Sequence, residues 1–268
     1  MTPAVSVILP VRNGGDRLRR AAGSVLRQTF RSLELIIVDD ASTDSTPVLI
    51  RKLMRRDRRV RRIRRSRSSG IVGALRSGMA EARGGFIARI DHDDEWTGRA
   101  KLARQVAALR RDPRLALIGT GALVVRERTG RRFDRHVPAS DRAIRGAMLG
   151  SCPFVHSSVV FRKDAARAAG GYTAEYIHAE DYYLWLRIGL RWRMANLPGS
   201  MVRYAWRPGG LSAAHRASQW WSRIRLVWRF GGSYPGKWPG LLRNLLDASF
   251  DVSLVPVRWL ADRVRGPA

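Results

Sequence analysis

Two short apolar runs, Val5-Ser-Val-Ile-Leu9 and Leu33-Glu-Leu-Ile-Ile-Val38, each end abruptly in small and polar residues. They narrow the folds open to this chain more than any other feature. Runs of this length, rich in β-branched residues, are strands buried on both faces. The first is closed by Pro10 and Asn13-Gly14-Gly15, the second by Asp39-Asp40. Between them Leu18, Ala21, Ala22, Val25 and Leu26 recur at three- and four-residue spacing, with Arg17, Arg19, Arg20 and Arg27 interleaved, so a helix joins the strands. After the second run Asp44, Ser45 or Thr46 can cap another helix that carries Pro47 in its first turn. Strand, helix, strand, helix implies a parallel sheet with helices on its faces, and such sheets bind ligands beyond the carboxyl ends of their strands.

The pattern continues downstream. Arg55 to Arg67 holds nine arginines, but Val60 and Ile63 fall where a short third strand needs them. No aromatic residue is interleaved for base stacking, which favours a solvated cationic face beside an edge strand over a nucleic-acid stripe. Gly70 to Ala82 predicts a helix, and Phe86-Ile-Ala-Arg-Ile90 a strand running into Asp91-His-Asp-Asp94. Leu115–Ile118 and Ala122–Val125 predict two more strands, the second turning at Arg128-Thr-Gly130, and Val155–Phe161 alternates like a strand. Beyond Arg207 the texture changes: six of the nine tryptophans fall between Trp206 and Trp259, among Arg216, Arg223, Arg225, Arg229, Lys237 and Arg243. The chain thus divides into residues 1–212 and a C-terminal helical element, 213–268. In that element Leu242, Leu246, Ser249, Phe250, Ser253 and Val257 make one helical stripe, flanked by Arg258, Arg263 and Arg265. It suits either an interfacial helix on an anionic membrane, or a helix packed on the main domain or on a second copy in a homodimer.

With 268 residues, 45% apolar and 27% charged, the chain can bury one substantial core. Fifty Lys and Arg against 22 Asp and Glu leave a formal charge of +28, which calls for an anionic partner: nucleotide, nucleic acid or acidic lipid. A single cysteine, Cys152, excludes an internal disulfide framework and a Cys-rich zinc site. No stretch offers the roughly 18 uninterrupted apolar residues of a membrane span. The expectation is a cytoplasmic protein, peripheral at the inner face of the cell membrane.

The chemically capable residues stand where strands end. Asp91, Asp93 and Asp94 repel one another unless a cation or hydrogen bonds satisfy them. A hard divalent ion shared with a substrate diphosphate would do so. An EF-hand is excluded, because Trp96 stands where that loop needs Gly and Leu102 where it needs Glu. The bland alternative is helix capping by Asp93 or Asp94. Asp39 and Asp40 close their strand in the same way, where a carboxylate can accept from the imide N–H of a pyrimidine base or cap the next helix. Glu180 and Asp181 open a helix in which Tyr182, Trp185, Leu186 and Gly189 recur at helical spacing. Aromatic surroundings raise a carboxyl towards the pKa of a general base, and the helix dipole lowers it. His178-Ala-Glu180 lacks the Pro-Cys-x-x-Cys of a zinc deaminase. Gly119-Thr-Gly121 lacks the full dinucleotide fingerprint, and Cys152 reads as a structural thiol.

Taken in order, Val5-Ser-Val-Ile-Leu-Pro-Val-Arg-Asn13, Ser24-Val-Leu-Arg-Gln-Thr-Phe30, Glu34-Leu-Ile-Ile-Val-Asp-Asp-Ala-Ser-Thr-Asp44, Ile87-Ala-Arg-Ile-Asp-His-Asp-Asp94, and Gly170-Gly-Tyr172 followed by Ala179-Glu-Asp-Tyr-Tyr-Leu-Trp-Leu-Arg187 resemble bacterial glycosyltransferase family 2 over residues 4–212. The resemblance implies an α/β GT-A fold, with a mostly parallel central sheet and helices on both faces. It implies that Pro10, Asn13 and Asp40 line the nucleobase and ribose site of a nucleotide-diphospho-sugar donor. Asp91 and Asp93 would hold the ribose and a Mn²⁺ or Mg²⁺ on the diphosphate, Asp94 sharing that role, and Asp181 would be the general base. Arg207 can fork onto the diphosphate. His156 and Glu180 fall on the acceptor side, His156 either touching the acceptor or buried as a satisfied core histidine. The implied reaction is metal-dependent, inverting transfer of one sugar to a polysaccharide or lipid-linked glycan precursor. Arg76, Gly98 and Tyr204-Ala-Trp-Arg207-Pro-Gly depart from the family's usual Asn, Pro and Tyr-Arg-x-His-Pro-Gly. Two rivals remain: a nucleotidyltransferase with a similar metal site, which releases pyrophosphate, and a nucleic-acid-binding basic protein indifferent to Asp93 and Asp181.

Overall fold

The computed structural model describes residues 2–207 and 216–253. Strands β1 (Val5–Val11), β2 (Leu33–Asp39), β3 (Val60–Arg64), β4 (Phe86–Arg89), β5 (Glu95–Trp96), β6 (Leu115–Arg126), β7 (Arg132–Arg135), β8 (Val160–Arg162) and β9 (Arg193–Trp206) share one sheet. Their spatial order is β3-β2-β1-β4-β8-β6-β9-β5, with β7 paired to β6. β3, β2, β1 and β4 pair in parallel, as do β6 and β9, while β8, β7 and β5 run against their neighbours. Helices α1 (Gly15–Leu26), α2 (Thr46–Arg56), α3 (Gly70–Glu81), α4 (Lys101–Arg111), α5 (Asp141–Ala147), α6 (Lys163–Ala168), α7 (Glu180–Gly189), α8 (Arg216–Phe230) and α9 (Lys237–Ser253) accompany it.

Successive side chains of β1 feed opposite cores, as a strand covered on both faces must. Ile8 packs in a cluster with Leu75 of α3 and Trp185 of α7. Val7 and Leu9 pack with Leu18 of α1, Ile50 of α2 and Leu102 of α4. α8 adds Leu226, Val227 and Phe230 to the Trp185 cluster, so the C-terminal helices share the core of the sheet domain. The boundary at 212/213 and the residues Val257, Arg258, Arg263 and Arg265 lie outside the described residues.

Two local expectations are corrected, and one strand is not anticipated by the sequence. Leu115–Ile118 and Ala122–Val125 form one strand, β6. Gly119 and Gly121 do not break it but admit close neighbours: a Cβ on Gly119 would stand 2.3 Å from Asn196 Oδ1, and one on Gly121 2.9 Å from the Arg135 carbonyl oxygen. The long partner β9 has no clear sequence signal, because Pro198-Gly199 interrupts it and Gly199 takes φ +91° where the register shifts. Finally, Val155–Phe161 is not a continuous strand. A 3₁₀ turn at His156–Ser158 precedes β8 and turns His156 and Ser157 towards the carboxyl ends of the parallel strands.

The loops at that edge are stitched together. The Asn13 amide donates to Ser42 Oγ, the Thr43 amide to Asn13 Oδ1, and the Gly14 amide to Thr46 Oγ1. α2 is entered through Asp44, whose Oδ1 accepts from the Thr46 amide at 2.9 Å. Asn13 (φ 54°), Ala41 (φ 58°) and His178 (φ 67°) occupy the left-handed region, and all three sit in loops beside this edge. Asn tolerates that conformation, whereas Ala does not. Ala41→Gly should therefore stabilise the fold by about 0.5–1 kcal/mol, the relieved strain exceeding the added chain entropy. A urea midpoint that falls instead would contradict this account of the loop.

Candidate active site

The parallel strands deliver three groups of side chains to one edge. β2 and β1 contribute the first. Pro10 is the buried sixth residue of β1, and the carbonyl of Ile8 accepts from the Ile90 amide on the β4 side. Alternation puts the missing N–H of Pro10 on that same side, beyond the last β1–β4 pair, where no partner needs it. Asn13 is exposed, its Oδ1 given to Thr43. Asp40 is buried and heavily engaged: it accepts from the Ser69 and Gly70 amides and from Ser68 Oγ, with Arg65 Nε at 3.4 Å. Its carboxylate thereby serves the first turn of α3 and fixes the Ser68–Gly70 loop. Asp39 is 1% exposed, accepts from the Ser42 amide, and stands 3.3 Å from Arg62. It faces the protein interior.

β4 delivers the second group. Arg89, 1% exposed, donates Nη2 to Asp91 Oδ1 at 2.6 Å and Nη1 to the Ile90 carbonyl. Ser157 completes the grip on Asp91, accepting from its amide at 3.0 Å and donating to Oδ2 at 3.1 Å. Enclosure works against the charged form of Asp91, but Arg89 and His156 override it and hold the carboxyl down at about 2. Asp93 is partly exposed and accepts from Arg207 Nη2, and Arg207 Nε lies 3.8 Å from Glu127. Asp94 is 1% exposed. Its Oδ1 accepts from the Ala205 amide, while Oδ2 has no hydrogen-bond partner. Burial, then Asp91 and Asp93, push its carboxyl well above the usual range. The β1–α1 loop touches this row, since a Cβ on Gly14 would stand 3.3 Å from His92 Cδ2.

The third group comes from the 3₁₀ turn and α7. His156 Nε2 lies 3.1 Å from the Tyr172 hydroxyl and its Nδ1 3.7 Å from Asp181 Oδ2. Burial and the nearby Arg89 lower its pKa to about 4, against the pull of Asp181 and Asp91, so the ring is neutral at physiological pH. Asp181 gives Oδ1 to the Tyr182 amide at 2.7 Å. Glu180 points inward, 6% exposed, with Oε2 unpartnered. The fully buried Trp185 backs the group, its ring edge-on to His156, Tyr172, Phe154 and Phe161. Cys152 is inert here, its thiol pushed up to about 12 by burial and by Asp181.

The structure thus gathers Asp91, Asp93, Asp94 and Arg207 in one row, with His156, Glu180 and Asp181 beside it, and Pro10, Asn13 and Asp40 on the adjoining loops. Sequence reasoning missed Arg89, Ser157 and Tyr172. Arg89 carried a signal, a lone cation inside the apolar run Phe86–Ile90, and Tyr172 stood in the Gly170-Gly-Tyr172 motif without a role assigned to it.

With that geometry in view, the family model for glycosyl transferase family 2 matches residues 6–169. The chain belongs to glycosyl transferase family 2. As a family 2 chain it is 34% identical over 189 residues to the glycosyltransferase EpsE of Bacillus subtilis, covering 69% of this chain and 66% of EpsE. It is 29% identical over 202 residues to the Escherichia coli UDP-Glc:alpha-D-GlcNAc-diphosphoundecaprenol beta-1,3-glucosyltransferase WfaP, covering 74% of this chain and 76% of WfaP. In fold it matches the mannosyltransferase PcManGT of Pyrobaculum calidifontis, solved with GDP-Man and Mn²⁺, at TM-score 0.70 and 21% identity, over 100% of this chain and 77% of that one. Staphylococcus aureus TarS 1–349 with UDP-GlcNAc matches at TM-score 0.70 and 17% identity, over 92% of this chain and 72% of that one. The GT-A architecture expected from the motifs is therefore the fold observed.

A buried acid on the acceptor side gives a test of this charge arrangement. Burial, then Asp181, raise the Glu180 carboxyl to about 7 from 4.5. The folded protein holds this proton more tightly than the unfolded chain, so the stability it lends is complete below pH 4.5 and is lost as pH rises through about 7. Glu180→Gln stays neutral, so its urea midpoint relative to wild type should climb between pH 4.5 and about 7. A constant difference across that window would contradict the burial of an unpaired carboxyl here.

Proposed function

We propose that this chain transfers one sugar from a nucleoside-diphosphate sugar to a hydroxyl of a lipid-linked glycan or cell-surface polysaccharide precursor, inverting the anomeric carbon, while lying at the cytoplasmic face of the membrane. The observation that carries this reading is the meeting at one sheet edge of the Asp91–Asp94 carboxylates, Arg207 and Asp181.

Each group has a part. Asp181, anchored through Oδ1 to its own helix, offers Oδ2 to the acceptor hydroxyl and takes its proton as the oxygen bonds to the anomeric carbon. The bond from that carbon to the diphosphate breaks on the opposite face, and its electron pair leaves with the nucleoside diphosphate. A single displacement inverts the centre. His156, neutral and steadied by Tyr172, borders Asp181 without adding a second positive charge, and Glu180 shapes the acceptor side from beneath. Arg207 now rests on Asp93, and it is the chain's own fork for the departing diphosphate. Pro10, Asn13 and Asp40 form the nucleoside end, where Asp40 works by holding the Ser68–Gly70 loop in place.

The acidic row suits a divalent cation. The unpartnered Oδ2 of Asp94, crowded by Asp91 and Asp93, is an oxygen that a cation would satisfy. Among the described residues no three His, Cys, Asp or Glu side chains form a metal site, so Asp93 and Asp94 would supply only part of an ion's shell, with diphosphate and water as the other ligands. Bound there, Mn²⁺ or Mg²⁺ would neutralise charge on the diphosphate. The Mn²⁺ and GDP-Man in PcManGT, the UDP-GlcNAc in TarS and the lipid-diphosphate acceptor in the name of WfaP support this choice of cofactor, donor and acceptor class.

Asp181→Asn keeps the size of the side chain but cannot accept the proton, so donor affinity should persist while turnover falls about 10²–10⁴-fold. Product analysis of the wild type should find nucleoside diphosphate and a linkage of inverted configuration. Turnover near the wild-type rate in the variant would remove Asp181 as base, and release of pyrophosphate would favour nucleotidyl transfer instead.

A further inference from the structure

The C-terminal helices present a surface that the catalytic reading leaves unused. On α8, Trp221, Arg225 and Trp228 follow one another at i, i+4 and i+7, all exposed. On α9, Trp238, Leu242 and Leu245 repeat that spacing. The two rows meet, because the Trp228 and Trp238 rings lie 6.0 Å apart, edge to face. Lys237 Nζ stands over both, 4.5 Å from Trp228 and 5.3 Å from Trp238. The apolar members of this surface are 47% to 69% exposed, far more than a soluble surface needs of such large side chains. Their opposite sides are spoken for: Leu226, Val227 and Phe230 are buried in the core, Tyr234 donates to the Leu186 carbonyl, and Asn244 donates to the Leu149 carbonyl.

We propose that this α8–α9 face docks on an anionic phospholipid bilayer. Charge complementarity selects the occupant. Residues 216–253 hold six cations and two acids in a chain of net charge +28, and Arg225 and Arg243 are exposed on the same two helices as the aromatic and leucine side chains, while Arg229 is paired with Glu175. Trp rings seat at the headgroup level, and Lys237 can reach past them to lipid phosphate along its apolar stem. Each helix keeps one side in the protein core, so the face lies along the surface of the bilayer.

The position of the face has a consequence for the reaction. α9 is fastened to the Leu149–Gly150 segment: a Cβ on Gly240 would strike the Leu149 carbonyl, and Arg243 Cδ lies 3.6 Å from where Gly150 would carry one. That segment leads through Cys152 to His156 and the acceptor side. Docking would therefore bring the acceptor side to the membrane surface, where a lipid-linked hydroxyl is found. In purpose, though not in its chemistry, the inference rests on the proposed acceptor class.

Vesicle sedimentation of the full chain, with neither donor nor acceptor present, tests the docking apart from the transfer reaction. Vesicles of phosphatidylglycerol and phosphatidylcholine in equal parts should bind the protein, with a blue-shifted tryptophan emission, and added salt should release it. Lys237→Gln with Arg243→Gln should weaken binding about thirtyfold at low salt. Trp221→Ala, Trp228→Ala and Trp238→Ala together should abolish most of the blue shift while circular dichroism stays unchanged, since all three side chains are exposed. Binding to pure phosphatidylcholine as tight as to the acidic mixture, or binding to neither, would overturn the proposal. So would wild-type dimers that the triple variant cannot form together with no vesicle binding, which would assign the face to a second copy. If vesicles bind as expected but no sugar is transferred, the docking stands and the transferase reading falls.

Discussion

A guanidinium is buried beneath the row of acids, and the site is arranged around it. Arg89 is 1% exposed at the end of β4, and its partner Asp91 is the second residue past the strand. Removing either half of a buried ion pair typically costs about 3–5 kcal/mol, because the remaining charge is left unpaired. The carboxylate at the strand end is thus as much a condition of folding β4 as a ligand for substrate. The same cation reaches the acceptor side, where it lowers the pKa of His156 and counters the repulsion of Asp91 on Glu180. Fold and chemistry share one buried charge.

Around that centre part of the arginine content has a structural use. In the run from Arg55 to Arg67, Arg59 pairs with Asp57, Arg61 with Glu34, Arg62 with Asp39 and Arg65 with Asp40. Glu34 also accepts from Ser6 Oγ and the Arg83 amide, tying β2 to the end of α3. Arg62 and Arg65 tie β3 to the carboxyl end of β2 and Arg61 ties it to the amino end, which supports the solvated, edge-strand reading of the run over a nucleic-acid stripe.

Much of this was legible in the chain itself. The runs at Val5 and Leu33 and the acids that follow them give the parallel half of the sheet and the edge where ligands bind, because a strand buried on both faces admits a polar side chain only where it is partnered, as Ser6 is by Glu34, and leaves the rest to its ends. The antiparallel half was less legible. β6 hides two glycines that serve close packing, β9 contains Pro198-Gly199, and the alternation at Val155–Phe161 conceals a 3₁₀ turn that owes its shape to tertiary contacts such as Ser157 with Asp91. The acids Asp91, Asp93 and Asp181 could be picked out by position. The engagement of Asp40 with the α3 amino terminus, and the inward turn of Glu180, depend on partners distant in sequence and have no local signature.

The central claim is that the acidic row at the end of β4 receives a nucleoside diphosphate through a divalent cation. Calorimetric titration of the wild-type chain with a uridine or guanosine diphosphate, with Mn²⁺ and then with chelator, tests it most directly. The account requires binding to at least one of the two nucleotides that strengthens at least about tenfold with Mn²⁺, a difference of about 1.4 kcal/mol, and that loses this dependence in Asp93→Ala. Binding of equal strength with chelator and with Mn²⁺, or a Mn²⁺ effect untouched by Asp93→Ala, would contradict it.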